Sequence, residues 1–219
     1  MIATYSFADR WKLALKSRHF RIQFIVSLVV LATIAFLIPY FFLYIQQRNG
    51  IVLNDPLLKP LHPVDVSSIT FTVIYGALLL SIIHLSFSPE RLLLMIEAYC
   101  ILTFLRVICI ALVPLNNPEG LIVLRDPFVN RIGYEGNVIT KDLFFSGHVS
   151  TIFLLYLIVV SRMLKIILLL AMILIASLIL IQHVHYTIDI LAAPIFSWVA
   201  VRITKFIFKP DEISFETMN

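Results

Sequence analysis

Residues 163–182 read MLKIILLLAMILIASLILIQ, a run of 20 positions in which Lys165 alone is charged. One α-helix of this length crosses the roughly 30 Å hydrocarbon core of a bilayer. The run is continuously apolar and does not alternate with period two, which favours a helix over a strand of a transmembrane barrel. We therefore predict a membrane-spanning helix here.

The whole chain shares this character. It has 219 residues, of which 60% are hydrophobic and 14% are charged, and its mean hydropathy is +0.98. A soluble domain is nearer 45–50% apolar and about 25% charged, so an ordinary soluble fold is excluded. We predict an all-α, polytopic membrane protein whose domain, residues 22–208, holds six transmembrane helices. The predicted spans are 22–45, 68–87, 92–114, 143–160, 163–182 and 185–207.

The predicted domain is flanked by two short segments. Residues 1–21 carry five cations and several apolar side chains, which predicts a basic, amphipathic segment at the membrane surface. The apolar run that follows is longer than a signal-peptide core, so we interpret it as a retained first span. Residues 209–219 form the predicted C-terminal tail.

The net charge of +4 reflects cations that cluster beside the spans. This pattern is typical of membrane topology and does not indicate nucleic-acid binding. With the N-terminus inside, 11 Lys and Arg residues lie inside and five lie outside. We therefore expect both termini in the cytoplasm and the long loops 46–67 and 115–142 on the other face. The oligomeric state stays open, because lipid-facing and protein-facing surfaces are equally apolar.

Two polar motifs open the predicted fourth and sixth spans. They are DLFFSGH, residues 142–148, and HYTID, residues 185–189. Ionisable groups at membrane depth are costly and usually functional. His185 and Asp189 have i, i+4 spacing and would share a helix face, so the carboxylate can fix the tautomer of the imidazole. The alternative is that His185 only caps the helix and Asp189 pairs with another neighbour.

The first motif has the residue types of a phosphate site. Gly147 permits close backbone approach to a ligand, Ser146 can donate to a phosphate oxygen, and His148 can act as a general acid and base. Asp142 is either a helix cap or a second carboxylate that orients a histidine. Both motifs lie at helix N-termini on the outer face, which predicts an anion site.

Arg106 lies inside the predicted third span, where an arginine needs an anionic partner. Asp189, Asp142 and a substrate phosphate are the candidates, and the alternative is that Arg106 reaches toward an interface. A metal site could use His183, His185, His148 and Asp189. However, His183 and His185 would diverge on a helix, so we expect neither a metal nor another cofactor.

These motifs resemble those of the sphingomyelin synthases, within the superfamily of type-2 phosphatidic acid phosphatases (PAP2). The pattern Asp142-x-x-x-Ser146-Gly147-His148 resembles the third motif of that family, and residues 185–189 resemble the fourth. Arg106 is similar to part of the second motif, and residues 60–65 are similar to the first. The resemblance covers residues 60–200 and implies a PAP2-like bundle of six helices.

The resemblance also implies roles. His185 would attack phosphorus and form a phosphohistidine, Asp189 would orient it, and His148 would act as acid and then as base. Substrate phosphate would be bound by the remaining motif residues, Ser146, Gly147, Asp142, Arg106 and Tyr186. The partners implied are a phospholipid donor and a lipid acceptor such as ceramide. Thr140-Lys141 replaces the Cys-Gly of the family and Pro194 follows the fourth motif, which leaves headgroup and acceptor open.

Three functions compete. The first is a lipid phosphotransferase, the second is a lipid phosphatase with water as acceptor, and the third is a non-enzymatic transporter or scaffold that uses the histidines and Asp189 as an ion path. Phosphatases of the superfamily carry a Lys-x6-Arg-Pro motif and a Ser-Arg pair before the second histidine, and residues 180–184 here are Leu-Ile-Gln-His-Val. A monoester dianion requires more cations than a diester monoanion. The sparse cations therefore favour the transferase.

Overall fold

The computed structural model describes residues 6–126 and 139–208. Helices are the regular elements of this part of the chain, so its fold is all-α as predicted. Outside the helices, residues Ile51 and Leu115 form an isolated parallel bridge. The seven helices described are α1 (Phe7–Lys16), α2 (Arg18–Gln47), α3 (Ser67–Ser86), α4 (Pro89–Leu112), α5 (Gly147–Ile158), α6 (Arg162–Ile181) and α7 (Thr187–Ile207).

Five of these helices, α2, α3, α4, α6 and α7, are long and apolar enough to cross a membrane. Their bounds agree with five of the predicted spans to within a few residues. The side chains of α2 are mostly exposed, with Phe20, Ser27, Phe42 and Ile45 buried, as expected for a helix that faces lipid. These features support an integral, multi-pass membrane protein.

The predicted fourth span differs from the observed helix. Helix α5 has 12 residues, about 18 Å at 1.5 Å per residue, which is shorter than a hydrocarbon core of about 30 Å. It begins at Gly147 rather than at residue 143 because other elements hold the preceding segment in a non-helical conformation. The amides of Thr140 and Lys141 both donate to the side-chain oxygen of Gln46, at 3.0 and 3.1 Å. Six full-length transmembrane helices are therefore not confirmed.

The connections between helices gather at two ends of the bundle. At the end we call the motif end, the backbone amide of Val64 before α3 donates to Ile181 at the end of α6, and residues from loops 48–66 and 113–126 pack around the start of α7. At the opposite end, the indole of Trp11 on α1 donates to the carbonyl of Ser86 at the end of α3. Both sequence motifs lie at the motif end.

Helix α5 is the central element and packs against α3, α4, α6 and α7. Its side chains Val149, Ile152 and Leu155 are almost fully buried. The hydroxyl of Ser197 on α7 donates to the carbonyl of Ser150 at 2.8 Å, which joins α5 to α7 near the core. This packing sets the two motif-bearing helices against each other.

Candidate active site

His185 and Asp189 form a buried pair at the start of α7. The Nδ1 atom of His185 lies 3.2 Å from Oδ2 of Asp189, and the two side chains are 1% and 0% exposed. The reason for the contact differs from the predicted one, because His185 precedes the helix rather than lying on it. Asp189 turns back toward the start of its own helix, where Oδ2 also accepts the amide of Tyr186 at 3.1 Å. The carboxylate thus caps α7 and contacts His185 with the same oxygen.

This contact defines the chemistry of the His185 ring. An ionised carboxylate only accepts hydrogen bonds, so Nδ1 is the atom that carries the proton toward Asp189. In the neutral ring, Nε2 then keeps its lone pair. Nε2 is buried and has no hydrogen-bond partner in the described part of the chain, so it is available to a ligand.

His148 lies in the first turn of α5 and faces His185. The centroids of the two rings are 6.3 Å apart and their planes are inclined by 67°. On another side, the ring of Phe71 on α3 packs edge-on against His148 at 6.1 Å. The structure therefore places the histidines of the two motifs close together, beside the apolar ring of Phe71.

Several polar atoms around this pair lack partners. Within the described residues, Oγ of Ser146, Nδ1 of His148, Nε2 of His185 and Oδ1 of Asp189 are buried without a hydrogen bond. Buried polar atoms are nearly always paired in native proteins, so each exception requires an explanation. A polar ligand that reaches this site would supply partners to them.

Arg106 on α4 supports the motif that precedes α5. Its Nη2 donates to the carbonyl and to a carboxylate oxygen of Asp142, both at 2.9 Å, and its Nε donates to the carbonyl of Phe145 at 3.0 Å. Of the anionic partners considered above, Asp142 is the one that this geometry selects. Asp142 is not the cap of α5, since Ser146 holds that position.

Gly147 has no side chain because the guanidinium of Arg106 occupies that space. A Cβ atom at this position would lie 2.8 Å from Cζ of Arg106, a distance that forces a shift. The glycine therefore allows Arg106 to pack directly against the first turn of α5.

The two helix N-termini are not equivalent. In α5 the first intrahelical bond runs from the amide of Ser150 to the carbonyl of Ser146, so the amides of residues 147–149 have no partner inside the helix. At α7 the amide and hydroxyl of Thr187 both donate to the carboxylate of Asp55, at 2.6 and 3.0 Å. The prediction that both N-termini serve as anion sites therefore needs correction, because a carboxylate already occupies the start of α7.

Asp55 is a residue that sequence reasoning missed. Burial raises the pKa of its carboxyl, but hydrogen bonds from the amide of Thr187, the amide of Leu57 and the hydroxyl of Thr187 outweigh that effect and hold the pKa below its ordinary value. The signal available was weak, since Asn-Asp-Pro in a loop predicts a turn but not a contact 132 residues away.

Two glutamines were also missed. Gln182, fully buried after α6, donates to the hydroxyl of Ser67 at 2.9 Å and accepts from the amide of Val66 at 3.1 Å. Gln46 at the end of α2 binds the segment that carries Asp142, as described above. A polar residue at a helix end is ordinary in sequence, so neither stood out.

Tyr186, a predicted phosphate ligand, and His183, considered only for a metal site, lie in other surroundings. The hydroxyl of Tyr186 donates to the carbonyl of Asn116 at 2.9 Å and accepts from the amide of Leu53 at 3.1 Å. It therefore joins two loops, and we do not carry it forward as a phosphate ligand. The Nδ1 atom of His183 lies 2.7 Å from the carbonyl of Glu119. Within residues 6–126 and 139–208, no group of three His, Cys, Asp or Glu side chains is arranged to hold a metal ion.

Comparison with known protein families gives a match in the C-terminal half of the chain. Residues 141–206 match the family model described as PAP2 superfamily C-terminal. The match supports membership of the PAP2 superfamily. It includes both motifs, α5, α6 and nearly all of α7, and spans less than a third of the chain. No curated protein and no solved structure matches the sequence.

The matched superfamily supports a general class of activity. Together with the candidate membrane spans, it favours a lipid phosphatase or phosphotransferase.

Proposed function

We propose that the chain is a membrane lipid phosphotransferase that moves a phospho-headgroup from a glycerophospholipid to a lipid hydroxyl such as that of ceramide. The observation that carries the proposal is the buried pair of imidazoles. His185, held through Nδ1 by Asp189, keeps Nε2 unpaired, and His148 faces it across 6.3 Å. A nucleophile oriented by a carboxylate and opposed by an acid is the arrangement that covalent phosphoryl transfer requires.

In the first step, Nε2 of His185 attacks the phosphorus of the donor. A nitrogen–phosphorus bond forms and the bond from phosphorus to the diacylglycerol oxygen breaks. His148 gives its proton to that oxygen, so diacylglycerol leaves as a neutral alcohol. Asp189 stabilises the positive charge that develops on His185, because its carboxylate is in contact with the protonated Nδ1.

In the second step, His148 accepts the proton of the acceptor hydroxyl as that oxygen attacks phosphorus. The nitrogen–phosphorus bond breaks, His185 returns to its neutral form, and the headgroup phosphate leaves as a phosphodiester of the acceptor. The backbone amides of residues 147–149 and the hydroxyl of Ser146 would donate hydrogen bonds to the phosphoryl oxygens.

The charge at the site favours a diester over a monoester substrate. Arg106 already binds the carboxylate of Asp142 at 2.9 Å, which neutralises much of its charge. Lys141 donates to the carbonyl of Arg48, and Arg202 lies over the ring of Trp198. Neither cation is therefore assigned to binding of the substrate phosphate. A diester monoanion needs fewer cations than a monoester dianion.

Burial favours a lipid acceptor over water. His185 is 1% exposed, and His148 packs beside Phe71. A dry site slows hydrolysis of a reactive phosphohistidine. The phosphatase remains the second candidate because the matched superfamily supports both activities.

The proposal includes a topology. In it, α5 and the non-helical segment 139–146 together make a sixth crossing between α4 and α6. Six crossings place both termini on one side, and the cation distribution makes that side the cytoplasm. The motif end then faces the non-cytoplasmic side.

The test is a lipid assay on purified protein in detergent. A glycerophospholipid labelled in its headgroup phosphate is incubated with and without ceramide, and unlabelled phosphatidate is assayed separately for release of inorganic phosphate. We expect labelled phosphosphingolipid only when ceramide is present, with diacylglycerol released at every turnover; without ceramide, diacylglycerol release should stop at one equivalent per protein. Inorganic phosphate from phosphatidate without any ceramide product would replace this proposal with the phosphatase.

A further inference from the structure

A basic groove lies at the opposite end of the bundle from the catalytic motifs. It has a volume of about 540 Å³ and is lined by α1 and the start of α2, through Asp9, Lys12, Leu13, Leu15, Lys16 and Arg21. Three cations and one carboxylate give it a net charge of +2. None of these residues takes part in the chemistry proposed above.

Helix α1 is held at this end by specific contacts. The Trp11 indole donates to the carbonyl of Ser86 at 2.8 Å, and the Arg10 guanidinium donates to the carbonyl of Phe87 at 3.2 Å. The ring of Phe7 packs edge-on against Phe87 with centroids 5.4 Å apart. These contacts hold α1 against the turn between α3 and α4, at the end of the bundle opposite the motif end.

The groove combines exposed cations with an exposed apolar side chain. Lys12 and Lys16 are exposed on α1, and Leu15, which also lines the groove, is 42% exposed. Arg21 donates to the carbonyl of Leu15 at 2.9 Å, so its guanidinium is fixed at the junction of α1 and α2. Asp9 accepts the hydroxyl of Ser6 at 2.7 Å and is the one lining group that opposes an anion.

We propose that this groove binds the phosphate of an anionic phospholipid in the leaflet at the α1 end. The cations match the headgroup phosphate, and the apolar rim, next to the entry of α2 into the bilayer, matches the start of the acyl chains. The occupant is therefore a membrane lipid that acts as a structural or regulatory ligand, separate from the substrate at the motif end.

The experiment measures lipid binding by the full chain in detergent. Purified protein is titrated with phosphatidylglycerol or with phosphatidylcholine, and binding is followed by native mass spectrometry and by thermal unfolding. The test variant is Lys12→Ala with Lys16→Ala, since neither lysine side chain donates a hydrogen bond that α1 depends on in the contacts above. The matched control is Arg162→Ala with Lys205→Ala, which removes two cations from helix ends on the same side.

Each cation near a membrane surface strengthens anionic lipid binding about fivefold, so we expect the test variant to bind phosphatidylglycerol about 25-fold more weakly. The control should bind like the wild type, and phosphatidylcholine should bind weakly to all three proteins. Asp9→Asn removes the opposing carboxylate and should tighten phosphatidylglycerol binding about fivefold.

Three results would overturn the proposal. The test variant could bind phosphatidylglycerol as well as the wild type does. The control could lose as much affinity as the test variant, which would indicate diffuse surface charge. Glycerol 3-phosphate could compete as effectively as the intact lipid, which would indicate a site for a soluble phosphate.

Discussion

At the scale of single residues, the proposed chemistry depends on which ring nitrogens are left without hydrogen-bond partners. Nδ1 of His185 is engaged by Asp189, while Nε2 of His185 and Nδ1 of His148 are buried and unpaired within the described residues. A purely structural histidine would be expected to use both nitrogens or to expose one to solvent. Nε2 of His183 is buried and unpaired as well, so it is the approach of the His148 and His185 rings to 6.3 Å, together with their unpaired atoms, that favours a bound substrate.

Substitution of His185 or Asp189 should strongly reduce turnover without unfolding the protein. For His185→Ala we expect activity to fall by about 10³-fold or more, because the nucleophile is lost. For Asp189→Asn we expect a loss of about 10²–10⁴-fold, because the amide no longer stabilises a positive ring. Initial rates of headgroup transfer measure both effects, and thermal unfolding in detergent checks the fold. A folded His185→Ala protein with wild-type rates would refute the assignment.

Gly147 offers a test with an internal control. In Gly147→Ala the new methyl group would lie 2.8 Å from Cζ of Arg106, so the guanidinium must move away from Asp142 and Phe145. We expect the rate of transfer to fall about 10- to 100-fold, as for small displacements near a site. Gly76→Ala meets no atom within 4 Å and should keep the wild-type rate. Equal rates in the two variants would show that the packing of Arg106 on Gly147 has no role in catalysis.

At the scale of elements, the site depends on how α5 and α7 begin. Helix α5 starts late because Gln46 and Arg106 hold the segment before it, and α7 starts at Thr187 because Asp55 accepts its first amide. Asp55 comes from a loop between α2 and α3, so a distant part of the chain positions the helix that carries Asp189.

Loss of the Asp55 cap should destabilise the start of α7. We expect Asp55→Ala to lower the free energy of unfolding by about 0.5–2 kcal/mol, the usual cost of a lost cap, and to reduce turnover because His185 and Asp189 lie beside it. Asn54→Ala, an exposed position in the same loop, is the control. Denaturant unfolding of both variants measures the difference. Matching unfolding curves for the two would contradict the role of Asp55.

The same cap predicts a dependence on pH. The pKa of Asp55 is lower in the folded chain than its ordinary value, so its carboxylate stabilises the fold above the unfolded pKa of about 3.9 and loses that effect as pH falls through the folded pKa. The stability difference between wild type and Asp55→Asn should therefore be full near neutral pH and shrink below about pH 4. A difference that stays constant from pH 7 to pH 3 would contradict the charge contribution.

At the scale of the whole molecule, the number of crossings decides where the termini lie. Among the residues that the structure describes, five helices are long enough to span a membrane, and α5, with 12 residues, is not. If α5 and the segment 139–146 complete a sixth crossing, the two termini lie on the same side; with five crossings they lie on opposite sides.

Epitope tags at the two termini of the full chain test this prediction. In intact cells, we expect an externally added antibody to reach neither tag. After the membrane is permeabilised, the antibody should reach both. Tags that are protected on opposite sides would exclude the six-crossing topology. A tag inserted after Asn54 is the control and should be accessible from the non-cytoplasmic side.

Much of this architecture could be predicted from composition and motifs. Continuous apolar runs located α2, α3, α4, α6 and α7, since length and polarity alone decide membrane insertion. The two motifs identified His148, His185 and Asp189 as candidate catalytic residues. What could not be predicted depends on contacts distant in sequence. Three features require partners from another part of the chain. They are the contact of the Asp55 carboxylate with α7, the hydrogen bonds of the Gln182 side-chain amide and the late start of α5.

The central claim is that His185 carries the phospho-headgroup as a covalent intermediate. The most direct measurement is to incubate purified protein with a glycerophospholipid labelled in its headgroup phosphate, without acceptor, to stop the reaction with alkali, and to map the label by peptide mass spectrometry. We expect the label on the peptide that contains residues 185–189, its absence in His185→Ala, and its release when ceramide is added before the quench. A protein that turns over lipid but carries no label on that peptide, or a His185→Ala protein that is labelled like the wild type, would contradict the account.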